Sequence, residues 1–234
     1  MTAKKMLGRV EYKEILAGNT WIVGIRLPEV IDFIPGQFVS LKVNDDNLRR
    51  AYSVASLPGS KTIDLVIDVT PMGIGSKYVL GLSVGDEVDV LGVLGKFVVR
   101  ISALDSKEIV FLGTGTGIVP LKPMIEDLLV HKKFKGQVYL VWGMRYEKDL
   151  YWMKEIDKLQ RDFDNFHFEV ALSRPSEDWP GMKGHVGDVI EKMNCDWINT
   201  SAYLCGNMEM ILEMKNVFIS KGVPDEKINY ERFA

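Results

Sequence analysis

The chain has 234 residues, of which 47% are hydrophobic, and a formal net charge of −3. This length is enough for one large domain or for two of ordinary size, each burying its own core. The near-neutral charge disfavours a nucleic-acid-binding protein, which needs a concentrated basic face. No apolar run approaches the roughly 18 residues that would cross a bilayer. The start, MTAKKMLGRVEYKE, lacks the apolar region of a secretory signal.

Cysteine is scarce in this chain, with only Cys195 and Cys205 present. Two cysteines do not make the disulfide framework of a small secreted domain. They are also too few for the clustered thiolates that hold an iron–sulfur centre, so we expect no metal site. The composition as a whole predicts a soluble cytoplasmic protein.

The residues up to Arg100 predict short strands separated by turns. These segments are rich in Val, Ile, Tyr and Trp, and the gaps between them hold Gly, Pro, Asn and Asp. The predicted strands are Gly8–Tyr12, Trp21–Leu27, Gln37–Val43, Arg50–Ala55, Thr62–Thr70 and Glu87–Leu91, with one short helix in Ser76–Leu82. Short strands at this spacing predict an antiparallel β-barrel or sandwich.

After Arg100 the pattern changes to strands that alternate with helices. The predicted strands are Glu108–Leu112, Gln137–Trp142, Phe166–Leu172, Ala202–Cys205 and Ile228–Tyr230. The predicted helices are Leu121–Lys132, Lys148–Arg161, Val186–Met193 and Glu209–Lys221. This alternation predicts a doubly wound parallel sheet. We therefore expect a β-barrel domain over residues 1–102 and an α/β domain over residues 103–234.

A glycine-rich loop, Gly113–Gly117, joins the first predicted strand of the α/β domain to its first helix. Glycines let the backbone approach a pyrophosphate, and the N–H groups at the helix start attract its charge. The spacing is G-x-G-x-G and not G-x-G-x-x-G, so a tight turn without a ligand stays an alternative. Ligands of open α/β sheets collect where the strands end. Those ends also hold Gly143, Arg145, Ser173, Arg174, Cys205 and Gly206. Each arginine is a candidate phosphate ligand or an ordinary solvated side chain.

The segment RRAYSVASLPG places a cation, an aromatic ring and a hydroxyl in one strand. Strand alternation puts Arg50 and Tyr52 on one face and Ala51 and Ser53 on the other. This set suits a planar phosphorylated cofactor, and the alternative is a surface strand with a half-buried tyrosine. Further along, Gly73, Gly75 and Ser76 stand at a predicted helix start, which is a second anion site in principle.

Together these residues resemble the ferredoxin–NADP reductase superfamily over nearly the whole chain. The family's R-x-Y-S flavin signature is similar to Arg50–Ser53, and its G-x-x-S phosphate motif is similar to Gly73–Ser76. Its nucleotide loop resembles GTGTGIVP, and its C-G pair resembles Cys205-Gly206, followed by Met208. Its carboxylate–x–aromatic terminus is similar to Glu231-Arg-Phe233, although the family's G-P-x-G reads Gly92-Val-Leu-Gly95 here.

The resemblance implies an FAD-binding barrel followed by an NADPH- or NADH-binding domain. Arg50 would bind the FAD pyrophosphate, Tyr52 would pack on the flavin, and Ser53 would lie near flavin N5. The other implied flavin-site residues are Ala51, Ile67, Val69, Gly73, Gly75 and Ser76. The implied nucleotide-site residues are Thr114, Gly115, Thr116, Gly117, Gly143, Arg145, Ser173, Arg174, Cys205, Gly206 and Met208. The implied catalytic residues are Ser53, Cys205 and Glu231. Cys205 would line the nicotinamide pocket, with a buried structural thiol as the alternative, and Glu231 would be a polar or proton-relay group. Phe233 would be a flavin cap or the remnant of a join.

The implied activity is hydride transfer from NADPH or NADH to FAD and onward electron transfer to a separate acceptor. Ser173, Arg174 and Lys183 resemble a 2′-phosphate site, whereas His185 stands where that site has a tyrosine. The acceptor would be ferredoxin, flavodoxin or an oxygenase component. A free-flavin reductase and an electron-transfer subunit of a larger complex are the alternatives, and Gly73–Ser76 argues against the first because a flavin substrate needs no phosphate clamp.

Overall fold

The computed structural model describes residues 3–233 and divides into two compact units. One unit extends to Val98 and includes Lys122–Met124. The other comprises Val99–Leu121 and the described residues from Ile125 onward. The expected order, an antiparallel β domain followed by a parallel α/β domain, is confirmed.

The first unit is an antiparallel sheet with six strands among its described residues. They are β1 (Lys4–Ala17), β2 (Thr20–Arg26), β3 (Phe38–Lys42), β4 (Arg49–Ser53), β5 (Thr62–Asp68) and β6 (Glu87–Leu94). Helix α1 (Ile74–Gly81) follows β5 in the chain. The strands lie in the order β4-β3-β6-β1-β2-β5. A bridge between Val54, just beyond β4, and Leu65 in β5 joins the two edges, so the sheet closes into a barrel.

Strand β1 is much longer than the predicted Gly8–Tyr12. Irregular pairing with β2 at two places, between Val10 and Tyr12 and between Ile15 and Ala17, lets the strand bend and continue. Charged residues at most of its exposed positions interrupt the apolar pattern on which the prediction depended.

Lysine 13 holds the C-terminal end of α1 on the barrel. Its Nζ donates to the carbonyl oxygens of Leu80 and Leu82, each at 2.7 Å, and lies 4.9 Å from the centre of the Trp21 ring. A cation is favourable at this end because the last carbonyls of a helix lack intrahelical donors. Lys13 therefore fixes the last turn of the helix to β1 and leaves its glycine-containing first turn free of this contact.

The second unit is a parallel sheet with helices along the chain between its strands. Its described strands are β7 (Glu108–Thr114), β8 (Gln137–Met144), β9 (Phe166–Leu172), β10 (Met182–Lys183), β11 (Thr200–Gly206) and β12 (Ile228–Arg232). Its α-helices are α2 (Ile118–Glu126), α3 (Met153–Asp162), α4 (Val186–Lys192) and α5 (Met208–Ser220). The strand order is β10-β9-β8-β7-β11-β12, with every pair parallel. All seven residues of β11 are buried, as expected for a central parallel strand.

Two predicted helices were wrong at one end. Helix α3 begins at Met153 and not at Lys148, because Trp152 adopts φ 59° in the left-handed region and interrupts the helical path. The helix predicted over Leu121–Lys132 starts earlier, at Ile118, and its last turn, Asp127–His131, is a π-helix. The two-residue strand β10 was not predicted, since it is too short to show alternation. Within residues 3–233, no helix has the length and apolarity needed to cross a membrane.

We expect Gly24→Ala to destabilise the barrel by about 1–3 kcal/mol, because a methyl group there would overlap the ring of Tyr12. That ring lies across Gly24 and its hydroxyl donates to Asp64 on the next strand, so it has little room to move. Urea unfolding measures the loss. The control is Gly81→Ala, since no atom lies within 4 Å of that added methyl. Equal midpoints for the two variants would contradict the expectation.

Candidate functional site

The first turn of α1 lies directly against β4 in the first unit. A Cβ atom added to Gly75 would lie 2.6 Å from Tyr52 Oη and 3.2 Å from Arg50 Cγ. Both side chains lie close to the same glycine, which is consistent with the prediction that they share one face of the strand. Gly73 is the N-cap of α1, and no acidic residue occupies the first turn. The first N–H groups of a helix have no intrahelical partner, so this turn offers donors to an anion.

Burial and charge differ between the two side chains that face this turn. Tyr52 pairs with Val39 and packs against the barrel core, and burial raises the pKa of its hydroxyl to about 12 despite the nearby charge of Arg50. Arg50 is exposed. Its neighbour Arg49 is instead committed to Asp89 and the carbonyl of Ser40. The turn therefore has a neutral aromatic hydroxyl and a solvated guanidinium beside it.

The remaining predicted residues of the first unit lie in or beside this region. Ser53 ends β4 and is 7% exposed, whereas Ala51 is exposed. Ser76 is buried in the first turn of α1. Ile67 and Val69 belong to the hydrophobic core of the barrel, at 6% and 5% exposure, so packing alone accounts for their apolar side chains.

The glycine-rich loop of the second unit is held by backbone contacts. Gly115 adopts φ 57°, in the left-handed region, and a Cβ there would meet open space. A Cβ on Gly117 would overlap the carbonyl group of Cys205, the second-to-last residue of the neighbouring strand β11. The indole Nε1 of Trp142 donates to the carbonyl oxygen of Gly115 at 2.9 Å. The glycines thus serve close approach and backbone conformation, as a phosphate-binding loop requires.

The ends of three parallel strands, β7, β8 and β11, meet around Thr114. A Cβ on Gly143 would lie 3.0 Å from Thr114 Cγ2, and a Cβ on Gly206 would overlap Thr114 Oγ1. Gly206 also has φ 155°, which side chains other than hydrogen rarely allow. The predicted loop and the predicted glycines at the ends of β8 and β11 therefore form one cluster.

The loops after β8 and β9 run alongside each other. The backbone N–H groups of Ser173 and Arg174 donate to the carbonyls of Met144 and Arg145 at 3.0 and 2.9 Å. Arg145 and Arg174 are both exposed.

Sequence reasoning missed Tyr146, which lies beside Arg174. Its Oη accepts from Arg174 Nη1 at 3.5 Å, and this bond, with the charges of Arg174, Arg145 and Lys148, lowers the pKa of the phenol. An aromatic residue directly after a strand-end arginine is the signal that could have identified it. This edge of the sheet is cationic and suits an anionic ligand.

Cys205 and Glu231 lie side by side on β11 and β12. They are paired in register, Cys205 is fully buried, and Glu231 is partly buried. Burial, and to a smaller extent the charge of Glu231, raises the pKa of the Cys205 thiol. Burial raises the pKa of the Glu231 carboxyl to about 7. The thiol is therefore neutral at physiological pH, and the carboxyl is poised to gain or lose a proton.

The last two predicted residues flank this pair. Met208 is the first residue of α5 and is 39% exposed. Phe233 is half-buried, and its N–H donates to the carbonyl of Gly206 at 3.0 Å, which ties the residue after β12 to the end of β11. The sequence did not single out Asn207, whose side chain accepts from the N–H of Met210 at 2.8 Å and caps α5. An asparagine directly before a helix is the signal that could have identified it.

Comparison with known families matches both halves of the chain. Residues 8–99 match the oxidoreductase FAD-binding domain, and residues 111–216 match the oxidoreductase NAD-binding domain. Among solved structures, the cytochrome P450 reductase GcoB of Amycolatopsis has a TM-score of 0.91 and 26% identity, with coverage of 99% of this chain and 70% of that chain.

Curated relatives are longer than this chain. The toluate 1,2-dioxygenase electron transfer component of Pseudomonas putida is 29% identical over 203 residues, which are 86% of this chain and 59% of that protein. The CDP-6-deoxy-L-threo-D-glycero-4-hexulose-3-dehydrase reductase of Yersinia pestis is 30% identical over 225 residues, 94% of this chain and 66% of that protein. The chain therefore spans about three-fifths to two-thirds of the length of these two relatives.

We expect Glu231→Gln to change how stability depends on pH. The Glu231 carboxyl holds its proton more tightly in the folded chain, with a pKa of about 7 against 4.5. The resulting stabilisation is complete below the unfolded pKa and is lost as the pH rises through 7. Between about pH 5 and pH 8, the free energy of unfolding of the wild type should fall about 1–2 kcal/mol more than that of the variant, less than the full shift implies because the carboxyl is partly exposed. Urea unfolding at each pH measures this, and parallel profiles would contradict it.

Proposed function

Because the chain belongs to the ferredoxin–NADP reductase superfamily, we propose that it is a flavoprotein reductase that takes hydride from NADPH or NADH onto bound FAD and passes electrons to a separate protein acceptor. The two matched domains account for the two nucleotide cofactors. The activity itself is our inference, since the chain covers only part of each curated relative.

The observation that carries the proposal is the contact of Gly75 with Tyr52 and Arg50. It joins an aromatic ring, a solvent-exposed cation and a helix start, which are the three features that a flavin with a pyrophosphate needs. A flavin taken up only as a substrate needs no such phosphate clamp. This supports resident FAD over free-flavin reduction.

The residues of the first unit fit FAD. The N–H groups at Gly73–Ser76 and the guanidinium of Arg50 would hold its pyrophosphate. Tyr52 would pack on the ring, and Ser53 would donate a hydrogen bond to the reacting edge of the flavin. Ala51 is the exposed residue between Arg50 and Tyr52, and Ile67 and Val69 would support the ring from the barrel core.

The residues of the second unit fit a pyridine nucleotide. Thr114, Gly115, Thr116 and Gly117 would hold its pyrophosphate through backbone N–H groups. Arg145, Ser173 and Arg174 would meet its adenosine phosphates, with Gly143 giving the backbone space to approach. Cys205, Gly206 and Met208 would line the nicotinamide pocket, with Phe233 as a cap at the same strand ends.

When bound, FAD supplies the electron chemistry: it accepts a hydride from reduced nicotinamide and releases the electrons to the acceptor. The chain supplies orientation and proton control. Cys205, whose thiol pKa is raised, stays neutral and packs without reacting. Glu231, with a pKa of about 7, would exchange a proton with solvent near the nicotinamide pocket.

The acceptor would be a redox protein or domain, such as a ferredoxin, a flavodoxin or an oxygenase component. The name of the relative from Pseudomonas putida describes electron transfer to a dioxygenase. The relative from Yersinia pestis is named as the reductase of a dehydrase. Both names link the relative to another enzyme, one as its electron transfer component and one as its reductase, which also supports an electron-transfer subunit of a larger complex.

We also propose that the protein works in the cytoplasm. Both cysteines are free thiols, as is usual in a reducing compartment. Detection of the protein in the membrane or extracellular fraction of its own cells would overturn this location.

The deciding experiment is anaerobic stopped-flow reduction of the purified protein by NADH and NADPH in parallel, with the released cofactor identified. We expect bound FAD to bleach rapidly with one of the two nucleotides, and Ser53→Ala to slow that phase. A colourless protein that reduces added flavin would favour the free-flavin reductase. A bound flavin indifferent to both nucleotides would overturn the proposed activity.

We expect Gly75→Ala to fold but to bind FAD about tenfold more weakly, or worse. The added methyl must displace the Tyr52 hydroxyl, which lies 2.6 Å from the Cβ position, and this moves the ring that would contact the flavin. Flavin fluorescence on titration of apoprotein measures the dissociation constant. Gly81→Ala, at the other end of α1, is the matched control and should bind FAD normally, because its methyl meets no atom within 4 Å. Equal affinities would contradict the assignment of this turn to FAD.

A further inference from the structure

The buried side chain of Trp142 contacts the glycine-rich loop Gly113–Gly117. Trp142 lies in β8, is 0% exposed, and donates its indole N–H to the carbonyl oxygen of Gly115 at 2.9 Å. These two residues are 27 positions apart in the chain. Gly115 has φ 57° and open space where a side chain would be, so packing at this residue does not hold its conformation.

The indole of Trp142 also packs against a second aromatic ring. The ring of Tyr151 meets Trp142 edge-on, with centroids 5.1 Å apart, and Trp152 meets Tyr151 in the same way at 5.0 Å. Tyr151 is 4% exposed. Trp142 therefore offers its N–H from a fixed position.

A peptide plane has only one orientation once its carbonyl is anchored. The C=O of residue 115 and the N–H of residue 116 point in opposite directions across a trans peptide. A carbonyl directed at Trp142 thus turns the Thr116 N–H away from the indole. Glycine permits the reverse orientation at little cost, and that orientation would present carbonyl lone pairs where an anion should bind.

We propose that Trp142 is a positioning residue for nucleotide binding. It selects, through Gly115, the peptide orientation that presents the Thr116 N–H to the pyrophosphate, and it does not touch the nucleotide. This inference rests on the proposed function, which places a pyridine nucleotide at the loop. Tyr151 is the residue that keeps the indole in place.

The test variant is Trp142→Phe, which keeps an aromatic ring next to Tyr151 and removes the N–H donor together with part of the indole volume. We expect NAD⁺ or NADP⁺, whichever the wild type prefers, to bind about tenfold more weakly, as the loss of a buried hydrogen bond implies. The rate of flavin reduction at saturating donor should change less than about twofold, so the effect is on KM and not on kcat. Amide hydrogen exchange of residues 113–118 should quicken, while that of strand β5 stays unchanged.

Trp197→Phe is the matched control. Trp197 belongs to the same unit but directly precedes β11, at the opposite end of that strand from the glycine-rich loop. There it contacts Phe218 and Lys221. This variant should leave nucleotide affinity and loop exchange unchanged. In the wild type, NMR should show the Trp142 indole N–H signal move on addition of NAD⁺ or NADP⁺ while that of Trp197 stays, a result that does not depend on how a variant folds.

Three outcomes would count against the proposal. Wild-type nucleotide affinity in Trp142→Phe, together with unchanged loop exchange, would overturn it and leave the proposed function intact. An equal fall in saturating rate, affinity and thermal stability would show a merely structural role and would also overturn it. A wild type that binds neither nucleotide would overturn the proposed function, and the inference with it.

Discussion

The close approach of backbone to backbone at the strand ends of the parallel sheet is the constraint on which the second unit depends. Gly117 lies against the carbonyl of Cys205, and Gly143 and Gly206 leave the space that Thr114 fills. A single methyl at Gly117 or Gly206 would overlap a neighbouring atom. The ends of β7, β8 and β11 and the loop Gly113–Gly117 therefore constrain one another's backbone positions. A ligand at these strand ends would meet backbone N–H groups held in place by those contacts.

In the first unit, the corresponding close approach at a glycine involves the first turn of a helix and not a loop. Lys13 fixes the last turn of α1, and Gly75 brings its first turn against Tyr52 and Arg50. In both units a glycine would let main-chain donors come close to an anion, and an exposed arginine, Arg50 in the first unit and Arg145 or Arg174 in the second, would add charge. We therefore expect phosphate recognition in both units to depend on backbone geometry, which in the second unit includes the Gly115 carbonyl that the indole of Trp142 anchors.

Titratable groups are few at these sites, and burial sets the behaviour of two of them. The Cys205 thiol is buried and stays protonated, which suits a packing role. Its neighbour Glu231 has a pKa of about 7 because burial disfavours its charged form. The two neighbours therefore differ, because the thiol keeps its proton and the carboxyl changes its protonation state near neutral pH.

The sequence by itself determined what depends on neighbours along the chain: the barrel followed by the α/β domain, the strand–loop–helix around Gly115, and the shared face of Arg50 and Tyr52. Alternation and glycine spacing are local, so they can be recognised without a structure. Only the tertiary structure decided which distant residues meet. Trp142 on β8 reaches Gly115, which follows the neighbouring strand β7, and Cys205 pairs with Glu231 through sheet register. Helix α3 starts late because the backbone of Trp152 is in the left-handed region. No residue pattern encodes that conformation, and in the structure the Trp152 ring packs against the buried Tyr151.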